Sequence, residues 1–165
     1  DTGSDGIGDT PYFIDEDNQD DYPLMGMFSN FNGVWEEKSW HVNVISNSTV
    51  SNLDFKVIYE PEISKEISFN VAGEDNTVGF CRVMIPTELM NYPYTVLVNE
   101  EKVESTLLDI SNSTHAYLYF TYRLSTKHVV IVPEFPSAQA LPFFIIVTMI
   151  AVVLMKLKYP KKKIT

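Results

Sequence analysis

The sequence is short of cysteine and, over most of its length, of positive charge. The single cysteine, Cys81, cannot form an intrachain disulfide, so a core must hold the fold together without one. We interpret Cys81 as a small buried apolar residue rather than a nucleophile or metal ligand. Residues 1–135 contain seven basic and 22 acidic side chains, which gives a net charge of −15. Because phosphate contacts need Lys and Arg, this balance argues against nucleic acid as a partner.

An export signal and a catalytic pattern are also missing. The chain begins with Asp1 and shows no N-terminal signal peptide, so we expect it to be part of a longer precursor or a processed product. The histidines, His41, His115 and His128, are far apart in sequence and belong to no motif. We therefore predict that this chain is not an enzyme.

One long apolar run is present, and it lies close to the C-terminus. Residues 138–155 carry no charge and, at about 1.5 Å per residue, cover roughly 27 Å as a helix, close to the thickness of a bilayer core. The run predicts a single transmembrane helix with the lipid bilayer as partner. Lysines that follow a span mark the cytoplasmic side. We expect a single-pass protein of the cell membrane, with an extracellular N-terminal body and a cytoplasmic tail over residues 156–165. The basic residues that flank the span are Lys156, Lys158, Lys161, Lys162 and Lys163.

A proline-rich segment precedes this helix, and residues 134–137 are predicted to form a stalk. The order of Pro133, Glu134, Phe135 and Pro136, then the apolar helix and the lysines, resembles the PEF-CTERM sorting signal of archaeal surface proteins. The resemblance covers Pro133 to Lys163. It implies an archaeal source and an archaeosortase-type processing enzyme that cleaves near these residues and transfers the body to a lipid. The alternative is that the helix stays as the anchor.

The first 29 residues are rich in Asp and Gly, which is turn chemistry. Within this segment, Asp-Gly-Ile-Gly-Asp-Thr-Pro-Tyr is followed by Asp-Tyr-Pro-Leu. This pattern, from Asp5 to Met25, resembles the closing segment of NosD-type right-handed β-helix repeats of surface proteins. The resemblance implies that residues 1–29 end a β-helix repeat region whose main part precedes Asp1. That family carries a periplasmic copper-binding label. Copper is not carried over, because the sequence has no His, Met and Cys cluster with ligand spacing.

Calcium is the candidate cofactor of this segment. Asp1, Asp5 and Asp9 are spaced four residues apart, and carboxylate oxygens are the ligands that Ca²⁺ prefers. The match to an EF-hand loop is partial, because Gly3 and Tyr12 stand at two ligand positions. The alternative is an Asp/Gly turn that binds no metal.

Residues 39–133 show the alternation of half-buried strands. Apolar and aromatic residues recur at period two in short runs separated by turns, as in Leu53 to Tyr59 and Ala116 to Tyr122. Seven to eight such runs predict a mainly β fold, an antiparallel β-sandwich of the immunoglobulin or fibronectin type III kind, followed by the transmembrane helix. Residues 30–38 read as a linker in front of this domain.

Two sequons and one aromatic pair are the candidate surface sites. Asn47 and Asn112 each begin an Asn-Ser-Thr triplet in a predicted turn, where an exported chain can be glycosylated. In the run Ala116 to Tyr122, Tyr117 and Tyr119 lie on the face opposite Leu118 and Phe120. This pair is the best candidate for contact with envelope glycans or other surface proteins, provided that it is exposed.

The leading hypothesis is a membrane-anchored extracellular surface protein whose β domain is a structural or adhesive spacer without catalysis of its own. A first alternative makes the chain the C-terminal anchor part of a β-helix carbohydrate-active enzyme, on fold analogy alone. A second alternative is a metal-binding envelope protein that takes calcium or copper. Turnover of a glycan by this chain would contradict the leading hypothesis.

Overall fold

A computed structural model describes residues 2–59 and 64–134 of the chain. Those residues contain β-strands and turns and no helix. The strands are β1 Tyr12–Phe13, β2 Gln19–Asp20, β3 Met27–Trp35, β4 Lys38–Ser46, β5 Thr49–Ile58, β6 Ser64–Ala72, β7 Val78–Pro86, β8 Tyr94–Val98, β9 Glu101–Val103, β10 Ser105–Leu107, β11 His115–Arg123 and β12 Lys127–Pro133. The prediction of a mainly β, antiparallel fold is confirmed.

The strands form two five-stranded sheets and one small hairpin. The first sheet has the order β10-β11-β7-β4-β3, and the second has the order β5-β6-β12-β8-β9. Neighbouring strands in both sheets pair antiparallel. The chain passes from one sheet to the other five times: between β4 and β5, β6 and β7, β7 and β8, β9 and β10, and β11 and β12. The two sheets are therefore joined by short connections, and their strands alternate along the chain.

Both sheets contribute to one core, as in a β-sandwich. Every second residue of the central strands is buried, which is what period-two alternation produces when one face of a sheet is covered. The largest fully buried side chains come from both sheets: Phe69, Phe120, Ile67, Ile85, Leu89, Met90, Leu118, Ile131, Val44, Val71, Val83 and Val96. This core is the main source of stability, because no disulfide is available.

The linker predicted over residues 30–38 is wrong, because this stretch belongs to the β3–β4 hairpin. Asn32-Gly33 reads as a turn signal, but the strands pair straight through it, and the turn comes later, at Glu36 and Glu37. Both glutamates have positive φ (51° and 62°), the backbone of a two-residue hairpin turn that usually selects Asn or Gly. Trp35 and Lys38 close the hairpin on either side of that turn.

The N-terminal segment, residues 2–26, makes antiparallel contacts within itself and meets the domain at Arg82 and Ser46. β1 pairs with β2, and Ile7 forms an isolated antiparallel bridge with Leu24. A Cβ on Gly26 would lie 2.2 Å from the carbonyl carbon of Ser46, so only glycine permits this approach to β4. Parallel pairing, which a β-helix coil requires, does not occur among the described residues. The β-helix interpretation of residues 1–29 stays a prediction.

Several predictions concern residues outside the described ranges. They are the calcium ligand Asp1, the sorting residues Phe135 and Pro136, the rest of the stalk, the transmembrane helix 138–155 and the lysines of the tail 156–165. In the part of the chain that the structure describes, no helix is long and apolar enough to cross a membrane.

Candidate functional site

The end of β12 is held in place by side chains of the neighbouring strands. Pro133 pairs with Tyr94, and the Glu134 N–H donates to the Pro93 carbonyl over 2.7 Å. The Glu134 carboxylate accepts from Lys102 Nζ at 3.0 Å and from Thr95 Oγ1 at 2.8 Å. These hydrogen bonds, the Lys102 bond first, lower the pKa of Glu134 below its ordinary value of 4.5.

Two of the predicted sorting residues therefore belong to the β domain. Sequence reasoning assigned Glu134 to the stalk, because prolines on both sides break regular structure. In the structure Glu134 is bound to the β domain, since the Pro93 carbonyl just before β8 accepts its N–H, and Thr95 of β8 and Lys102 of β9 donate to its carboxylate.

The candidate calcium ligands take part in turns of the N-terminal segment. Asp5 Oδ1 accepts from the Ile7 N–H at 2.8 Å, and its backbone carbonyl accepts from Arg82 at 3.2 Å. Asp9 accepts from the Thr2 N–H and, at 2.8 Å, from Thr2 Oγ1. Those bonds lower the pKa of Asp9, the backbone bond most. Within residues 2–59 and 64–134, no three His, Cys, Asp or Glu side chains are grouped closely enough to hold a metal ion, so calcium stays a prediction.

The two sequons differ in what their asparagines do. Asn47 uses both ends of its amide, donating from Nδ2 to the Val78 carbonyl and accepting the Phe80 N–H, each at 2.9 Å. It thereby fastens the β4–β5 connection to the start of β7. Asn112 accepts three hydrogen bonds from Thr114 and His115, all through Oδ1. Glycosylation at either position stays a prediction.

Tyr117 and Tyr119 lie on the outer face of β11, as the alternation predicts, and both are half-buried. The Arg82 guanidinium lies 5.5 Å from the Tyr117 ring centroid, and Tyr119 stacks on Phe80 at 5.8 Å. Burial first, and then the charge of Asp5, raises the pKa of Tyr119. The pair is thus engaged by β7, which reduces the area that it offers to a partner.

An aromatic pocket lies where edge strand β3 of the first sheet meets edge strand β5 of the second. Its volume is 240 Å³. Phe31 and Trp35 of β3, Trp40 of β4, and Leu53 and Phe55 of β5 supply most of its walls. These five side chains are partly buried and pack against the core. Four of its lining residues are aromatic, and we call it the seam pocket.

The polar groups of the seam pocket are few. The Trp40 indole N–H donates to the Trp35 carbonyl at 3.2 Å. The Trp35 Nε1 is buried and has no hydrogen-bond partner among the described residues. Asn32 and Asp54 also line the pocket. An unpaired buried N–H costs about 1–3 kcal/mol, so the position of Trp35 lowers the stability of the domain by an amount of that order.

Sequence reasoning missed this pocket because it treated residues 30–38 as a linker. The available signal was the pair of tryptophans on either side of Glu36-Glu37, at positions that a hairpin brings together. The β5 residues could not have been assigned to the same pocket, because only the folded arrangement places two edge strands of different sheets side by side.

A buried cluster of hydroxyl and thiol groups lies at the β4–β5 crossing. Tyr122 OH lies 2.9 Å from Ser48 Oγ and 3.5 Å from Cys81 Sγ, and Ser46 Oγ donates to the Phe80 carbonyl at 2.5 Å. Burial raises the pKa of Cys81 to about 11 and also raises that of Tyr122. Both groups are therefore neutral at physiological pH. A thiol kept in this form is a poor nucleophile, so the cluster is structural.

We expect Tyr122→Phe to lower the free energy of unfolding by about 1–3 kcal/mol, because it leaves the buried Ser48 hydroxyl without its partner. Urea unfolding of the full chain in detergent measures the change. Tyr119→Phe is the matched control, since its hydroxyl makes no hydrogen bond in the described part of the chain. Equal losses in the two variants would show that the cluster contributes nothing specific.

Comparison of the chain with known protein families, with curated proteins and with solved structures found no match.

Proposed function

We propose that the chain is the membrane-proximal part of an extracellular surface protein, in which the β domain is a structural or adhesive spacer. The apolar residues 138–155 and the lysines behind them support a single-pass anchor with the body outside the cell. The immunoglobulin- or fibronectin-type form of the sandwich is part of the proposal. The two described sheets contain ten strands in total, whereas the simplest immunoglobulin domains have seven.

The observation that carries the proposal is the place of β12 in its sheet. β12 is the last strand before the anchor segment, and it is the central strand of the second sheet. It pairs over five residues with β6 and over five residues with β8. A strand paired on both sides separates only when two hydrogen-bond ladders break, whereas an edge strand is held by one ladder. This arrangement suits a spacer whose C-terminal end is fixed to a membrane.

Forced extension tests the proposal. The full chain in detergent is held through handles at its two termini and stretched. We expect residues 2–134 to yield in one cooperative event with a length gain on the order of 400 Å, from ~3.3–3.6 Å per residue. Stepwise extension in which β12 separates first at low force would contradict the spacer role.

Activity is a second arm of the same test. A spacer has no turnover of its own, so the chain should not cleave neutral or acidic polysaccharides. Cleavage abolished by a single carboxylate substitution in this chain would replace the proposal with the enzymatic alternative.

A further inference from the structure

Strand β3 is the long edge of the first sheet, and it lacks the features that usually keep an edge strand from pairing with another chain. It pairs with β4 on one side and has no strand on the other side in the described sheet. The strand runs for nine residues, Met27–Trp35, without charge, proline or a shift in register. Natural edge strands are protected by such features or by being very short. The free side of β3 is therefore a row of backbone groups that a second strand can pair with.

The other edge strands of the two described sheets are protected. β9 and β10 have three residues each, and β9 carries Glu101 and Lys102. β5 is long, but its register with β6 shifts between Ser51 and Asp54. It also carries an exposed ion pair, with Lys56 Nζ 3.3 Å from the Asp54 carboxylate. The contrast identifies β3 as the open edge.

The hairpin geometry fixes which backbone groups of β3 point away from β4. Trp35 and Lys38 flank the two-residue turn, so they form a hydrogen-bonded pair, and such pairs alternate along the ladder. Every second residue counted back from Trp35 therefore directs its N–H and C=O to β4. The residues between them direct theirs outward, and their side chains are exposed: Phe28, Asn30, Asn32 and Val34.

A second copy of β3 is complementary to this edge in one antiparallel register. All four outward residues meet outward residues only when a two-fold axis passes through Phe31. Phe28 then faces Val34 of the other copy, and Asn30 faces Asn32. Phe28 and Val34 are 55% and 76% exposed, so this register covers two large apolar side chains with each other.

The residues of β3 that face the core also fit this register. The two copies of Phe31 become direct neighbours at the seam pocket, which this residue helps to line. Gly33 faces Ser29 of the other copy, and a Cβ on Gly33 would meet no atom within 4 Å. Small residues thus stand where the two strands approach most closely, as expected of a glycine inside a strand.

The charges do not oppose the pairing. The domain is acidic, so two copies repel unless the contact surface is free of like charges that face each other. β3 is uncharged over its whole length. In the two-fold register, Glu36 and Glu37 of the turn lie opposite Gly26 and Met25 of the other copy. The acidic turn therefore meets neutral residues.

We infer that β3 pairs antiparallel with β3 of a second copy of this chain, so that the two first sheets join into one sheet of ten strands. The inference goes beyond the spacer role and is independent of it. A chain that associates through β3 but extends stepwise under force would keep the interface and lose the spacer role.

Sedimentation of the full chain, in detergent with micelles in large excess over protein, measures the association. A single strand pair is smaller than a standard interface, so we expect a reversible monomer–dimer equilibrium with a dissociation constant on the order of 10–100 µM. Val34→Lys places a charge on the edge, opposite the apolar Phe28 of the other copy. It should raise the dissociation constant at least about tenfold.

Val78→Lys is the matched control. Val78 lies at the start of β7, away from the β3 edge, and is 65% exposed. This variant should associate like the unmodified chain. Both lysines change the net charge equally, so a difference between the variants reports on position. Both variants should unfold at the same urea concentration as the unmodified chain, because neither side chain is buried.

A spin label introduced by Ser39→Cys tests the register. Ser39 is exposed on β4, opposite Val34, whereas the native Cys81 is buried and protected from the label. Three strand spacings of about 4.8 Å and an offset of six residues at about 3.3 Å each predict roughly 25 Å between the two labelled backbone positions.

Three results would overturn the inference. The first is a single monomeric species at all concentrations up to about 1 mM. The second is association of Val34→Lys as strong as that of Val78→Lys, which would place the contact elsewhere, for example in residues 138–155. The third is a separation of the labelled positions above about 40 Å, which would contradict pairing through β3.

Discussion

Phe69→Ala should lower the free energy of unfolding by about 3–5 kcal/mol, the range for deletion of a buried aromatic side chain. Phe69 lies in β6 of the second sheet and is fully buried in the core cluster, to which β7 and β11 of the first sheet also contribute. The substitution leaves a cavity in the core that both sheets share, and no disulfide compensates for it. Urea unfolding of the full chain in detergent gives the change.

An exposed aromatic supplies the control for this prediction. Phe13 is 72% exposed in the N-terminal hairpin, so Phe13→Ala should change stability by no more than about 0.5 kcal/mol. Phe120→Ala, on the facing sheet, should cost as much as Phe69→Ala. If Phe69→Ala were as harmless as Phe13→Ala, or if the two core variants differed by several kcal/mol, the two sheets would not share one core.

Val130→Pro should cost more than about 2 kcal/mol, because it removes a ladder donor from a central strand. Val130 pairs with Ser68 of β6 on one side and with Leu97 of β8 on the other, so its N–H is needed whichever neighbour accepts it. Its side chain is only half-buried, so the loss comes from the backbone rather than from packing. The same urea experiment detects it.

Val130→Thr is the matched control, because it keeps the N–H and the β-branched shape at this position. We expect its stability to remain within about 0.5 kcal/mol of the unmodified chain. A proline at position 130 that was tolerated as well as threonine would mean that β12 is an edge strand. The proposed path of tension from the anchor into the sheet would then be wrong.

The strands could be predicted from the sequence where one face of a sheet is covered by the core. In Ala116 to Tyr122, burial alternates residue by residue, and hydrophobicity alternates with it. β3 could not be found in this way, because an edge strand at the margin of the core has few inward residues and contains an Asn-Gly pair. Local turn propensity favoured a bend there, and pairing with β4 overrode it.

The candidate sites depended on tertiary contacts that periodicity does not encode. Alternation placed Tyr117 and Tyr119 on the outer face of β11, but the contacts with Arg82 and Phe80 come from the register of β7. The proline pattern ended the domain before Glu134, and the contacts with Lys102 and Thr95 extend it. In each case a neighbouring strand that is distant in sequence covers part of the side chain and so decides how much of it a partner could contact.

The seam pocket marks the limit of sequence reasoning in this chain. The unpaired state of Trp35 Nε1 and the empty space beside Gly33 are properties of the folded arrangement. A sequence motif of two tryptophans around a turn indicates that the rings are neighbours, but it does not reveal a donor without a partner.

Amide hydrogen exchange tests the central claim, that β12, the strand that precedes the proposed anchor in the sequence, lies in the middle of a sheet. We predict that the amides of Val129 to Val132 that donate within the sheet exchange only through global unfolding, while those of edge strands β9 and β10 exchange much faster through local opening. Exchange of β12 as fast as that of β9 and β10 would contradict the claim, and with it the spacer role proposed for the domain.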